Sequence, residues 1–281
     1  MGDHNLKRVL QRPPVGVART AVLIAAARAT EQRQLHRLFD DPLAEVLVEA
    51  AGSANDLTGV RTLAGEHFVL RTRYFDDQLL TSAQPQVVLM AAGLDTRAFR
   101  LNWPPGTTVY ELDLPELIEF KEDALHDERA KPTCERVVVP CDLRDDWATA
   151  LIHAGFDPKR PTAWLLEGLF MFLPPDDGEW VLHWVSALSA RGSTLALEHV
   201  NRAFRELPQM RAVQQRFDTM DAGWRSDVED PVAWLGGHGW QAGVTHPVDL
   251  AASHERPVPA ITDPRKVGDA RIWLASAVRT A

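Results

Sequence analysis

The segment that most constrains the fold is an apolar run followed by a turn of small residues, at positions 86–97. A second apolar run, at 109–113, ends in Glu111-Leu112-Asp113. Buried parallel strands read as apolar runs, and small residues at the turn let a ligand approach the backbone. An acid at the end of the next strand can accept hydrogen bonds from ribose hydroxyls. The pattern predicts a nucleoside-binding α/β sheet; an ordinary strand-turn-helix unit without a ligand is the alternative.

The chemistry of this turn favours one class of nucleoside. A dinucleotide site needs G-x-G-x-x-G and a helix N-terminus facing a pyrophosphate, whereas this turn has only Gly93, with Asp95 close behind it. A carboxylate repels phosphate but favours an ammonium group. S-adenosyl-L-methionine is the common nucleoside with an ammonium-bearing tail, and we therefore predict it as the cofactor.

Composition and charge narrow the partners. The chain has 281 residues, 45% apolar and 25% charged, which is enough for one large α/β domain with or without a cap. A net charge of −9 without a basic cluster predicts no nucleic-acid partner. No signal-peptide core or membrane-length apolar window occurs, so we expect a cytoplasmic protein without a membrane partner. Cys134 and Cys141 match no metal motif, so no metal site is predicted. The oligomeric state stays open.

The order of apolar and helical segments predicts the architecture. Seven apolar runs are expected to be strands, at 86–90, 107–112, 135–139, 162–166, 193–198, 240–245 and 271–278. Most are separated by helical stretches such as 115–126 and 174–190. This alternation predicts a mostly parallel seven-stranded sheet with helices on both faces and ligands at the carboxyl ends of the strands. The last two runs are expected to form an antiparallel hairpin at one edge.

Two helical regions flank this pattern. Helices predicted at 17–34, from Pro42 and at about 61–82 make residues 1–84 an N-terminal helical cap, with residues 85–281 as the core. After the fifth strand, residues 200–228 interleave arginines with apolar residues. This amphipathic pattern predicts an inserted helical segment. It is either a solvated helix packed on the sheet or a lid whose arginines, including Arg202, contact an anionic substrate.

Carboxylates fall where successive strands are expected to end. Glu111 and Asp113 follow the second strand, Asp142 the third and Glu167 the fourth. One such acid is commonly just solvated. Several along one sheet edge form a line of acceptors suited to ribose hydroxyls, an adenine amino group and an ammonium group.

Five ordered blocks then resemble a known family. The blocks at 71–77, 92–101, 111–115, 142–144 and 167–169 are similar to the motif series of the leucine carboxyl methyltransferase family, in its bacterial branch of natural-product O-methyltransferases. The resemblance extends over nearly the whole chain. It implies a Rossmann-like methyltransferase sheet that uses S-adenosyl-L-methionine.

The resemblance also implies roles for individual residues. Arg73 would neutralise the methionine carboxylate, with Arg71 as its nearest substitute. The remaining cofactor contacts implied are the turn residues Ala91, Gly93 and Asp95, the ribose-binding Asp113 beside Leu112, the adenine-flanking Asp142 and Leu143, and Glu167 near the ammonium group. Two positions depart from the family: Ala91 stands where relatives often have glycine, and Phe172 where they often have tyrosine. Phe172 is therefore expected to contact the substrate as an apolar wall.

The acceptor is predicted from the chemistry of methyl transfer. A carboxylate is already ionised at neutral pH and needs no general base, whereas a phenol or alcohol needs one. No residue stands out as a base, and His199 at the end of the fifth strand is the best-placed candidate. We therefore expect methyl ester formation on a small carboxylic acid in natural-product metabolism. Hydroxyl methylation and a non-catalytic nucleoside-binding subunit are the alternatives. A nicotinamide-dependent reductase is disfavoured by the missing glycines and the missing Tyr-x-x-x-Lys pair.

Overall fold

Seven strands form one sheet in the order β3-β2-β1-β4-β5-β7-β6 in the computed structural model, which describes residues 14–52 and 58–280. β1 to β5 run parallel, and β7 is antiparallel to both of its neighbours. The predicted α/β sheet is thereby confirmed. The strands are β1 (Gln86–Met90), β2 (Thr108–Asp113), β3 (Glu135–Pro140), β4 (Thr162–Leu166), β5 (Thr194–Val200), β6 (Trp240–Thr245) and β7 (Ile272–Arg279).

Helices connect the strands and begin where the sequence carries start signals. Proline occupies the first turn of several of them, and Asp146 and Asp230 each cap a helix by accepting a hydrogen bond from a backbone N–H group. The helices are α1 (Arg19–Gln32), α2 (Leu43–Ala50), α3 (Thr58–Ser82), α4 (Arg97–Arg100), α5 (Pro115–Asp127), α6 (Trp147–His153), α7 (Pro175–Ala187), α8 (Arg202–Arg205), α9 (Arg211–Asp218), α10 (Pro231–Gly237), α11 (Pro247–Ser253) and α12 (Pro264–Val267). None of these helices is long and apolar enough to cross a bilayer within the residues described.

Alternate residues of each central strand face two different cores. Val88 packs with Trp147 and Trp164 on the face covered by α6 and α7. Val87 and Leu89 point the other way, toward α3. Every residue of β1 and of β4 is buried, because helices cover both faces of a parallel sheet.

The N-terminal helices are not a unit separate from the sheet. Leu70, Tyr74, Phe75 and Leu79 of α3 share a core with the inward residues of β1 and β4. Only α1 and α2 pack away from the sheet, against α5. A boundary at residue 84 therefore cuts through one continuous core. The third predicted helix is best described as a layer of the sheet domain.

Two regions differ in detail from the predicted elements. β6 and β7 pair antiparallel at the sheet edge as expected, but residues 246–271 between them carry α11 and α12, so the connection is not a tight hairpin. The 200–228 segment is helical only in part. It holds α8, a 3-10 turn at Pro208–Met210 and α9, and residues 222–228 are irregular.

Candidate functional site

A cavity of about 400 Å³ opens at the carboxyl ends of the parallel strands, the edge at which α/β sheets bind ligands. Its volume lies within the range of about 300–1,000 Å³ that small-molecule sites occupy. Two groups of residues line it. The strand-end half consists of Ala91, Gly93, Asp95, Asp113, Asp142, Leu143 and Glu167. The apolar half is described below.

The turn after β1 brings the backbone to the carboxylate after β2. The Gly93 N–H donates to Asp113 Oδ2 at 2.5 Å, and the Leu114 N–H donates to Asp113 Oδ1 at 2.7 Å. Gly93 has φ +53°, a conformation that glycine adopts without strain, and a Cβ there would lie 3.0 Å from the Ala21 Cβ. Ala91 also has a positive φ, +51°, so its backbone is strained in a way that a glycine backbone would not be.

Asp113 is the buried acid of this half. Burial raises its pKa to about 6, although the hydrogen bonds from Gly93 and Leu114 oppose the rise. Each carboxylate oxygen has two lone pairs, and one backbone N–H occupies only one of them. The group can therefore still accept two hydroxyl hydrogens from a ribose. Glu111, the other acid of this strand end, is occupied by Lys121 at 2.7 Å and Arg136 at 2.6 Å.

The next strand end supplies Asp142 and Leu143. The Arg144 guanidinium hydrogen-bonds the Asp142 carboxylate and lowers its pKa. Both Asp142 and Leu143 line the cavity, one polar and one apolar. Leu112, expected beside Asp113 as a cofactor contact, does not line the cavity. It lies in the core on the opposite face of β2, because consecutive strand residues point to opposite faces.

A buried cluster of ion pairs supports the strand-end half. Arg97 contacts Asp76 at 2.7 Å, Glu167 at 2.8 Å, and Asp95. Burial would raise the pKa of Asp95, but Arg97 and Arg28 hold it at about 2. Asp95 is therefore a permanent anion that is already paired with Arg97. Its chief contribution is to fix the turn on which Gly93 lies.

The two arginines of the Arg-Thr-Arg repeat point in opposite directions. Arg71 lines the cavity, with Nε 2.9 Å from Glu167 Oε1 and Nη1 bonded to Glu198. Arg73 lies outside it, pairing with Asp77 at 2.9 Å and donating to the Leu38 carbonyl. Helix residues two apart are rotated by about 200°. The expected preference for Arg73 over Arg71 is therefore reversed.

Two further candidates also lie away from the cavity. His199 is buried between the rings of Phe170 and Trp234, with centroids 5.8 and 5.9 Å away. Burial lowers its pKa to about 4, and its Nδ1 accepts the Val200 N–H. Arg202 is 66% exposed and faces Asp227. Neither residue has the placement that its expected role, base or substrate contact, requires.

The cavity is also lined by His67, Glu198 and Trp224, which were not predicted as site residues from the sequence. His67 Nε2 lies 2.8 Å from Glu198 Oε1, and both side chains line the cavity. His67 and Arg71 are four residues apart, so they share a helix face, and that spacing was the available signal. Trp224 lines the cavity from the irregular part of the 200–228 segment, and no local pattern distinguishes it.

The apolar half of the cavity is built from distant parts of the chain. It combines residues of α1, α3, the loop after β4, the 200–228 segment, the connection between α11 and α12, and the start of β7. Its members are Leu23, Val60, Ala64, Met171, Phe172, Val200, Phe204, Met210, Val213, Phe217, Ala222, Trp224, Ile261 and Ile272. Phe172, expected to contact the substrate, is among them. Apolar side chains of the 200–228 segment form this wall, and of the arginines of the segment Arg225 lines the cavity.

The residues present fit a nucleoside with an amino-acid tail. Asp113 retains acceptor capacity for hydroxyls, and the acids Asp142 and Glu167 line the same cavity. Over residues 14–52 and 58–280, no group of three or more histidine, cysteine or acidic residues is placed to hold a metal ion.

Comparisons with known proteins agree with this geometry. The leucine carboxyl methyltransferase family model matches residues 21–186, more than half of the chain. A protein of Parafrankia sp. (strain EAN1pec) is 40% identical, over 92% of this chain and 90% of its own. A protein of Frankia alni is 41% identical, over 95% and 96%. Both bear the name "putative S-adenosyl-L-methionine-dependent methyltransferase".

A solved structure shows the same fold. The crystal structure of a "putative methyltransferase" from Thermobifida fusca aligns over 100% of both chains, with a TM-score of 0.62 at 16% identity. The family match, the two relatives and the strand-end geometry lead to one conclusion. This chain belongs to the leucine carboxyl methyltransferase family, and it is an S-adenosyl-L-methionine-dependent methyltransferase.

Proposed function

We propose that this protein is an O-methyltransferase whose acceptor is a small molecule with a largely apolar body. The observation that carries the proposal is the division of one cavity into a polar strand-end half and an apolar half. The first suits the methyl donor, and the second suits the carbon skeleton of an acceptor. Such a skeleton is in keeping with the natural-product role that the family resemblance implies.

The strand-end half would hold the donor through specific contacts. Asp113 would accept the ribose hydroxyls, and Gly93 would let the backbone lie against the ligand. Asp142 and Leu143 would flank the adenine. Glu167 would face the ammonium group.

Arg71 takes the role that the sequence had given to Arg73. Its guanidinium lies against Glu167 and is the cation of the Arg-Thr-Arg repeat that reaches the cavity. Arg71 would therefore neutralise the methionine carboxylate, next to the acid that faces the ammonium group.

The protein contributes to the reaction by aligning donor and acceptor and by excluding water from them. The bound donor supplies a methyl group attached to a positively charged sulfur. An oxygen nucleophile can attack the methyl carbon in line and displace the sulfur. The apolar half keeps water away from this centre and holds the acceptor oxygen in one orientation, so the entropy cost of bringing the two together is met by binding.

Carboxylate acceptors, expected from the sequence, are the second candidate. Arg225 is the observation in their favour, because it lines the cavity and its contact with the exposed Asp221 is 3.3 Å long. The other arginines lining the described cavity have shorter carboxylate contacts: Arg28 with Asp41, Arg71 with Glu198 and Arg144 with Asp142. A substrate carboxylate would need to displace Asp221 from Arg225.

The proposal is tested with a donor that carries a trideuterated methyl group. Mass spectrometry follows the label into a panel of apolar phenols, alcohols and carboxylic acids, and mild alkali then separates esters from ethers. We expect label on oxygen. Label found only on nitrogen, carbon or sulfur contradicts the proposal. Calorimetry provides the binding control, with S-adenosylhomocysteine binding more tightly than NAD.

A further inference from the structure

One histidine of the cavity has a nitrogen without a partner. His67 lies on α3 with its side chain 2% exposed. Its Nε2 contacts Glu198 Oε1 at 2.8 Å, and its Nδ1 is buried with no hydrogen-bond partner among the residues described. Leaving a buried polar atom without a hydrogen bond destabilises a protein. His67 is among the residues that line the cavity, so a ligand bound there can supply the missing partner.

Glu198 determines which nitrogen of His67 carries the proton. Burial raises the pKa of Glu198, but Arg71 and His67 outweigh burial and hold it below its usual value. An ionised carboxylate can only accept hydrogen bonds, so His67 Nε2 must be the donor. A neutral imidazole protonated at Nε2 has its lone pair on Nδ1. In the neutral form of the ring, the unpartnered atom is therefore an acceptor.

A second unpartnered atom lies in the same cavity. Trp224 Nε1 is buried without a hydrogen-bond partner among the described residues, and the indole N–H is always a donor. Trp224 lines the apolar half, and so do Val60 and Ala64, which lie on the same face of α3 as His67. One acceptor and one donor match the two needs of a neutral hydroxyl, which donates one hydrogen bond and accepts another.

We propose that the acceptor is a neutral phenol or alcohol and that His67, held by Glu198, is its general base. This inference rests on the O-methyltransferase function proposed above. His67 Nδ1 takes the hydroxyl proton while the oxygen forms its bond to the methyl carbon. The carbon–sulfur bond of the donor breaks at the same time, and its electrons stay on sulfur. Glu198 is a positioning residue that fixes the ring and balances its charge.

Histidine tautomer measurements test this arrangement without any substrate. In protein labelled with ¹⁵N-histidine, the His67 signals are those missing from a His67→Gln variant. We expect a proton on Nε2 and none on Nδ1 at neutral pH. A proton on Nδ1, in either the neutral or the doubly protonated ring, would overturn the proposal.

Kinetics with graded acceptors provide the second test. Single-turnover rates are compared for 2-naphthol, for a nitro-substituted naphthol that is already ionised at neutral pH, and for 2-naphthoic acid. His67→Gln should lose about 10²–10⁴ in rate with the neutral naphthol, the usual contribution of a general base. It should lose far less with the ionised one, which has no proton to transfer. Equal losses with both naphthols would contradict the base role.

His199→Asn is the matched control. His199 is the neighbour of Glu198 on β5 but lies on the opposite face, and asparagine keeps an acceptor for the Val200 N–H. We expect this variant to methylate 2-naphthol at the wild-type rate. S-adenosylhomocysteine should bind equally well to wild type, His67→Gln and His199→Asn.

The two proposals fail in different ways. If the wild type methylates 2-naphthoic acid and neither naphthol, the hydroxyl acceptor is wrong and the O-methyltransferase stands. If oxygen is never methylated in the wider panel, the O-methyltransferase is wrong, and with it the hydroxyl acceptor, whatever the tautomer of His67.

Discussion

The two halves of the cavity differ in how their side chains are held in place. In the strand-end half, polar groups are fixed by one another: Gly93 and Leu114 hold Asp113, and Arg97 holds Asp95 and Glu167. In the apolar half, side chains from six separate parts of the chain meet without such partners. The first arrangement is rigid and chemically specific, whereas the second is defined only by shape.

This difference assigns different tasks to the two halves. A cofactor common to a whole family needs the same hydrogen-bonding groups in every member, and strand ends supply them at fixed register. An acceptor that differs between members needs a wall that can change by substitution of apolar residues. The variants below are chosen to affect one half and spare the other.

Removing Arg97 should have the largest effect, because it breaks the ion-pair cluster that supports the strand-end half. Arg97 is 3% exposed and contacts three carboxylates. Arg97→Ala leaves buried anions uncompensated, so we expect a loss of about 3–5 kcal/mol in the free energy of unfolding, measured by urea denaturation. Arg33→Ala breaks an exposed pair with Glu45 and should cost at most about 1 kcal/mol. Similar losses in the two variants would contradict the importance of the cluster.

Asp113→Asn should weaken binding of S-adenosylhomocysteine by about 1–3 kcal/mol. The amide nitrogen of asparagine can only donate hydrogen bonds. It would face the N–H of Gly93 or Leu114 and the ribose hydroxyls, where an acceptor is needed. Calorimetry measures the affinity, and Asp127→Asn, an exposed acid at the end of α5, is the control. Undiminished affinity in a folded variant would show that ribose is bound elsewhere.

The same acid predicts a pH dependence of binding. The pKa of Asp113 is about 6 without ligand, and the ribose hydroxyls favour its ionised form. Affinity should therefore be constant above pH 6 and fall by up to about tenfold per pH unit below it. Asp113→Asn should flatten the curve, and a slope that survives in this variant would assign the effect to another group.

Phe172→Ala should affect the apolar half alone. Phe172 is half-buried on the cavity wall, with its ring centroid 6.2 Å from that of Phe217. Loss of apolar contact should raise the acceptor KM by about tenfold. The affinity for S-adenosylhomocysteine should not change. Trp180→Ala removes an exposed aromatic side chain of α7 and should change neither quantity. A parallel loss of cofactor affinity in Phe172→Ala would show that the halves are not independent.

Ala91→Gly should have the smallest effect, a gain in stability of less than about 1 kcal/mol. The left-handed conformation of Ala91 costs about 1–2 kcal/mol, and the greater chain entropy of unfolded glycine offsets about half of that gain. Thermal unfolding measures the difference. Ala91→Val, with a branched side chain at the same positive φ, should unfold at a lower temperature than wild type, and the opposite order would contradict the strain.

The local sequence was sufficient to predict the secondary-structure elements and the acids at the strand ends. Apolar runs bounded by turns predicted all seven strands to within two residues at each end. In β1, β2 and β4 every residue is buried, because helices cover both faces of the parallel part of the sheet. Asp113, Asp142 and Glu167 reach one cavity because parallel strands end at one edge of the sheet. These features depend on chain neighbours and on the direction of strands.

Only the tertiary structure decided which side chains face the cavity. Spacing shows that His67 and Arg71 share a face of α3 and that Arg73 lies on another, but the packing of α3 on the sheet determines which face points inward. In the same way, alternation along β5 directs either Glu198 or His199 to the cavity. The long connection before β7, like the apolar wall, depends on contacts between distant segments. A single sequence records which residues neighbour each other along the chain, whereas the orientation of one element against another is set by the fit of whole surfaces.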